Sequence, residues 1–165
     1  MARTDLQKFT VKEKLNKMDV DYITVTPASA VADASGKCLY DTFEIPNAVA
    51  VPGGSCIIQS ITATHLASAD ISHTIVILDS NLSGGTPDAS MGNLSADVIS
   101  AVQGIIPMPD GTAIGSGDTV SSLLSIGMIA KAAAGSTSLF AFGISNASAA
   151  ITSAGMTLKF GIVKD

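Results

Sequence analysis

The chain has 165 residues, 47% of them hydrophobic and only 14% charged, with a formal net charge of -5. That length allows one domain with a sizeable core, and the composition is too apolar for a disordered chain. So few charges leave a large surface poorly solvated, which favours its burial against other chains.

Residues 1–17 carry Arg3, Lys8, Lys12, Lys14 and Lys17 against Asp5 and Glu13, a net of +3, while the remainder carries four lysines against twelve acids, a net of -8. An acidic body repels phosphates, which argues against nucleic acid as a partner. The N-terminal stretch lacks an apolar h-region, so no signal peptide is read. Leu6 and Phe9 fit a helical face, yet Phe9, Val11 and Leu15 alternate with Lys8, Thr10, Lys12 and Lys14, which fits an edge strand guarded by lysines. Residues 1–21 are therefore expected to form a basic arm, either partner-binding or simply solvated, and residues 22–165 a single β-domain.

Tyr22–Thr26 is a short β-rich run ended by Pro27, and a small-residue loop follows to Gly36. The stretch from Asp41 to Ile61 holds two strand-like runs, Leu39–Ile45 and Ser55–Thr64. Pro46, Asn47, Pro52, Gly53 and Gly54 lie between them and forbid a helix. In the first run Leu39, Phe43 and Ile45 share a face interrupted by Asp41. In the second, Ile57 and Ile61 are expected on one face, with Cys56 and Ile58 on the other. His73–Leu78 reads HTIVIL without polar alternation, so both of its faces are expected to be covered.

Residues 79–93 form the longest turn-like segment. Val98–Met108 is a mixed run that begins as a short helix and is ended by Pro107 and Pro109. Asp110-Gly111 marks a turn, as does Gly115–Asp118. Three clean alternating runs close the chain: Leu123–Ala130, Leu139–Ile144 and Met156–Val163. The first sets Leu124, Ile126, Met128 and Ala130 on one face. Seven to nine strands, frequent turns and no long helix predict an all-β, antiparallel β-sandwich, with a jelly roll preferred over an immunoglobulin-like fold because several connections are long. The uncharged stretch 132–158 is too interrupted by Gly, Ser and Asn for a membrane helix.

Candidates for chemistry are sparse. His65 and His73, with Asp70 between them, could meet across a hairpin, but a metal needs more ligands, and exposed or strand-end histidines are the simpler reading. A hydrolase would have to be carried by the same three residues. Asp79-Ser80-Asn81-Leu82-Ser83-Gly84 matches the first half of a calcium loop. The twelfth position is Ser90, where a bidentate Glu is required, and Asx and Ser turns explain the same residues. Cys38 and Cys56 lie on neighbouring expected strands, and buried free thiols are favoured over a disulfide. Gly53-Gly54-Ser55 and Gly115/Gly117 lead into no helix and carry no P-loop lysine, so they read as turns. No catalytic residue, metal or cofactor is assigned.

Asp41–Val49, Pro52-Gly53-Gly54-Ser55-Cys56 and Gln59-Ser60-Ile61 resemble a group of small virion proteins of tailed bacteriophages. Asp79-Ser80-Asn81 and Leu158-Lys159-Phe160-Gly161 are similar to the same group, and the likeness spans roughly residues 22–165. The resemblance implies a non-enzymatic capsid decoration (cement) protein, a trimeric β-sandwich on the virion surface that is made in the host cytoplasm and contacts the major capsid protein, with no membrane partner. The alternative is a receptor-binding or tail-fibre head domain, which the shortage of aromatic sugar platforms disfavours. On the first reading, the expected partner-binding residues are Arg3, Lys8, Phe9, Lys12, Lys14 and Lys17 of the arm, with Val49 and Val51 of the connector.

Overall fold

The computed structural model describes residues 19–28, 32, 34–66, 71–114, 118–147, 151 and 155–164. Among them the strands are β1 (Asp19–Val25), β2 (Cys38–Ile45), β3 (Ser55–His65), β4 (His73–Leu78), β5 (Val102–Met108), β6 (Thr112–Ile114), β7 (Asp118–Lys131), β8 (Leu139–Ser145) and β9 (Thr157–Lys164). One short helix, α1 (Ala96–Ala101), precedes β5.

The pairing is nested. β1 runs antiparallel to β9, β2 to β8, β3 to β7 and β4 to β5. The chain is thus a long double-stranded ribbon, and two further ladders, β3 with β9 and β4 with β8, roll it into two sheets. Their orders are β1-β9-β3-β7-β6 and β2-β8-β4-β5. Setting aside the three-residue β6, this is an eight-stranded jelly roll made of two Greek keys, so the preference for it over an immunoglobulin-like sandwich was right.

Inward-facing side chains of the two sheets meet in one core. Ile23, Phe160 and Ile61 form a buried row across the first sheet, continued by half-buried Leu123. Leu39, Ile75, Ile77, Leu139 and Ala141 face them from the second sheet. A second cluster lies on that sheet's outer face, where Val76, Leu78 and Phe142 pack beneath Val98 and Ala101 of α1. This is why HTIVIL needs no polar face: the insertion between β4 and β5 covers its outside. Each large side chain so buried contributes roughly 1.5–3 kcal/mol. Ser95 caps α1 by accepting a hydrogen bond from the Val98 N–H at 3.3 Å, and the helix stops at Val102, which is already extended as the first residue of β5.

Four expectations need correction. The inward set on β3 is Cys56 and Ile58, then Ile61, Ala63 and His65, because a bulge between Ile58 and Ser60 shifts the phase. Ile57 and Ile61 therefore point to opposite faces. On β7, Leu124 is 70% exposed, since the matching irregularity passes through Ser125 and Gly127, both with positive φ. Pro107 does not end β5. It sits within that strand opposite Thr74, on a sheet edge where its missing N–H is tolerated. Residues 19–21, expected in the arm, are part of the sheet among the described residues, because β1 pairs with β9 from Asp19 onward.

Candidate functional site

The connector between β2 and β3 closes one end of the sandwich. Asn47 adopts φ 52°, a left-handed conformation that Asn tolerates, and Gly53 follows with φ 70°. The Val49 N–H donates to the Thr137 carbonyl at 3.1 Å and the Gly53 N–H to the Ser136 carbonyl at 2.9 Å, binding the connector to the β7–β8 turn. The Ser138 hydroxyl donates to Glu44 at 2.5 Å beside it. Ala48 and Val49 are buried in the core, and only Val51 of the two expected contact valines reaches the surface. Val49 is therefore a core plug and presents nothing to a partner. The other expected contact residues, Arg3, Lys8, Phe9, Lys12, Lys14 and Lys17, lie outside the described residues.

The two histidines are neither exposed nor partners across a hairpin. Both are fully buried, His65 at the end of β3 in one sheet and His73 at the start of β4 in the other. The His73 Nδ1 lies 2.6 Å from the Ile71 carbonyl, which fixes the tautomer with the proton on Nδ1. Its Nε2 has no hydrogen-bond partner, and the Tyr40 ring stands edge-on with centroids 5.9 Å apart. Burial pushes the His73 pKa down from 6.5 to about 4, opposed by the Ile71 hydrogen bond. Asp70 lies outside the described residues, among which no group of three or more His, Cys, Asp or Glu could hold a metal ion.

The Tyr40 hydroxyl is likewise buried without a partner. A phenol held in an apolar core loses its hydration and gains nothing in return. Tyr40→Phe is accordingly expected to raise stability by about 1 kcal/mol, read as a higher urea midpoint with an unchanged m value. A lower midpoint would mean that the hydroxyl has a partner.

The calcium-like segment is a set of turns that fasten the insertion to the β2 edge. The Ser80 hydroxyl donates to Asp79 Oδ1 at 2.5 Å, and the Gln103 amide reaches Asp79 Oδ2 at 3.4 Å. Asp88 forms an ion pair with Lys37 at 3.2 Å. Asp41, the interruption on β2, accepts from the Thr42 N–H, the Ser83 hydroxyl and the Gly84 N–H at 2.7–3.1 Å. Its carboxylate thus holds the loop against the strand.

Cys38 and Cys56 are free and buried on strands of opposite sheets. Burial pushes each thiol up to about 11, with Asp41 adding to the rise at Cys38 and Lys164 opposing it at Cys56. Protonated thiols of this kind are poor nucleophiles.

One surface feature was not singled out from the sequence. On the outer face of the first sheet, Val163, Ile57 and Ile129 lie in register across β9, β3 and β7. Ile129 is 69% exposed, and Leu124 and Tyr22 stand in the adjoining row, joined by Gly161 and Ser60. Lys159 Nζ lies 4.9 Å from the Tyr22 ring centroid, a cation–π contact on the same face. The signal available in the sequence was that both faces of Leu123–Ala130 are apolar.

No protein-family model matches the chain, and no curated protein matches it. Among solved structures, the chain is similar to one described as the three-dimensional structure of Cocksfoot mottle virus, at 10% identity and a TM-score of 0.36, covering 89% of this chain and 94% of that one. It is also similar to the Cyanophage Pam1 capsid asymmetric unit, at 13% identity and a TM-score of 0.34, covering 90% and 86%. Desmodium yellow mottle tymovirus gives 12% identity and a TM-score of 0.27, covering 90% and 87%. The jelly-roll assignment stands on this chain's own strand order.

Proposed function

We propose that the chain is a structural protein of a bacteriophage particle, a decoration (cement) protein that binds the major capsid protein on the outer capsid surface. It acts as a homo-oligomer, read as a trimer, without catalysis, cofactor, nucleic acid or membrane. The observation that supports this most is that the side chains offered for chemistry are committed to the fold. His73 is a neutral core residue, Asp41 and Asp79 fasten loops, Asp88 pairs with Lys37, and both cysteines are buried. What the described surface offers instead is apolar area suited to protein contact. The sequence likeness around Asp41–Ile61 supplies the bacteriophage setting.

In this reading the net +3 of residues 1–17 engages an acidic neighbour, with Arg3, Lys8, Lys12, Lys14 and Lys17 as the cations and Phe9 as an apolar anchor. Val51 adds a small contact from the connector. Deleting residues 1–17 stops short of β1, so the body is expected to unfold cooperatively as before. Capsid occupancy in a co-sedimentation assay is expected to drop by about tenfold or more, equivalent to ~1.4 kcal/mol, and wild-type binding to weaken as salt is raised. Unchanged occupancy would remove the arm from the interface, and electron microscopy of the particle tests the location itself.

A further inference from the structure

We infer that the outer face of the β1-β9-β3-β7 sheet is where a second copy of this chain docks, with Ile57, Leu124, Ile129 and Val163 at the centre of the contact. The two outer faces of the sandwich are treated differently. The face of β4 and β8 is roofed by α1 and its flanking loop, which bury Val76, Leu78 and Phe142. The opposite face has no such roof among the described residues, yet it carries Ile129 at 69% and Leu124 at 70% exposure.

The sheet edges offer less. On β1 the outward Tyr22 N–H is held at 2.8 Å by the carboxylate of Asp21. The β2 edge is covered by the loop following β4, through the Cys38 N–H to the Ala89 carbonyl at 2.9 Å and the Asp88 N–H to the Cys38 carbonyl at 2.8 Å. On β7 the Lys131 N–H is taken by the side-chain oxygen of Gln103 at 3.3 Å. These contacts blunt strand addition at the β1 and β2 edges and along β7 beyond the short β6, and Pro107 interrupts the β5 edge, which leaves the flat face as the larger open surface.

Charge points to a second copy as the occupant. The described charges on this face are Lys131 and Asp118, at opposite ends of β7, and Lys159 near its middle. Uncharged side chains, namely Thr, Ser, aliphatic residues and Tyr22, fill the positions between them. A two-fold contact with β7 antiparallel to its copy sets Lys131 of each against Asp118 of the other, Lys159 is drawn over its own Tyr22 ring by the cation–π contact, and the face avoids most of the acids that give the rest of the body its negative sign. At ordinary strand spacing and rise the four strands present roughly 500 Å². Two copies would bury about 1,000 Å², which meets the lower bound for a specific contact.

This inference rests on the homo-oligomeric part of the proposed function, but neither on its trimeric count, since a face that meets its own copy closes a two-fold contact, nor on the virion setting. It is tested on free protein by sedimentation equilibrium across the micromolar range, without capsids, so its outcome is separate from that of the capsid assay. Wild type is expected to show a mass above that of the monomer. Ile129→Asp combined with Leu124→Asp, at positions too exposed to disturb the core, is expected to shift the mass to that of the monomer at every concentration tested. Ile99→Asp combined with Ile105→Asp, equally exposed but away from this face, is expected to leave the assembly intact. A monomeric wild type, an assembly that survives the first pair, or one equally disrupted by the second would each overturn the inference.

Discussion

Acidification from pH 6.5 to 4 is expected to remove roughly 3 kcal/mol of folding stability through His73 alone. In the unfolded chain the imidazole takes up a proton near its ordinary 6.5, whereas burial holds that step at about 4 in the folded protein. Between those values the unfolded state binds more protons, so stability rises with pH. The contribution is complete above about 6.5 and is lost progressively as pH falls toward 4. The geometry explains the size of the effect. Nδ1 is already committed to the Ile71 carbonyl, so the new proton would have to sit on Nε2, which has no acceptor. The positions beside it are Met108 on β5 and Ser145 on β8, with the Tyr40 ring edge-on. A loss of ~3 kcal/mol is a large share of the 5–15 kcal/mol that holds a typical domain. Urea melts at several pH values would measure it, with His73→Phe as the reference because it cannot titrate. A parallel pH dependence in wild type and variant would show that His73 does not carry the effect.

The histidine also marks where the sequence was legible and where it was not. Runs with strict alternation, such as Met156–Val163, were placed correctly, because period-2 patterning is a local property of a half-buried strand. HTIVIL was read as doubly covered, and α1 with its flanking loop supplies the cover. The helix-then-strand character of Val98–Met108 was also visible, although the helix starts two residues earlier, at Ala96 behind the Ser95 cap. What failed were properties set by partners distant in the chain. The facing of Ile57 and Leu124 depends on bulges in the β3 ladders, which neither strand announces. The burial of His65 and His73 depends on the sheets closing over them, and the two end up in different sheets because β3 and β4 cross from one to the other. For the candidate site, the connector Pro46–Gly54 was read correctly as geometry. The inward turn of Val49 was not, because it follows from hydrogen bonds to Ser136 and Thr137 nearly ninety residues on.

Gly143→Ala is expected to cost about 3 kcal/mol, although it adds a single methyl group. Gly143 sits on β8 directly opposite Tyr40 of β2, and the phenol ring lies flat over the glycine. A Cβ at 143 would come within 2.3 Å of Tyr40 Cζ and 2.6 Å of Cε2, far inside carbon–carbon contact distance. The ring has nowhere to go. It is fully buried, Phe43 stands edge-on with centroids 5.4 Å apart, and His73 blocks another side at 5.9 Å. Relief must come from shifting β2 against β8, where irregularities already flank Tyr40. Overpacking of this kind usually costs 1–3 kcal/mol, and a ring confined on several sides belongs at the upper end. For a chain of this length that is a fall of roughly 10 °C in melting temperature. The cause can be separated from a general intolerance of β8 to substitution by a second change. Tyr40→Leu removes the ring atoms that meet the new methyl, so Gly143→Ala made in that background is expected to cost under about 1 kcal/mol. The pair should therefore be strongly non-additive. If the alanine costs as much without the ring as with it, the close approach of Tyr40 is not what requires glycine at 143.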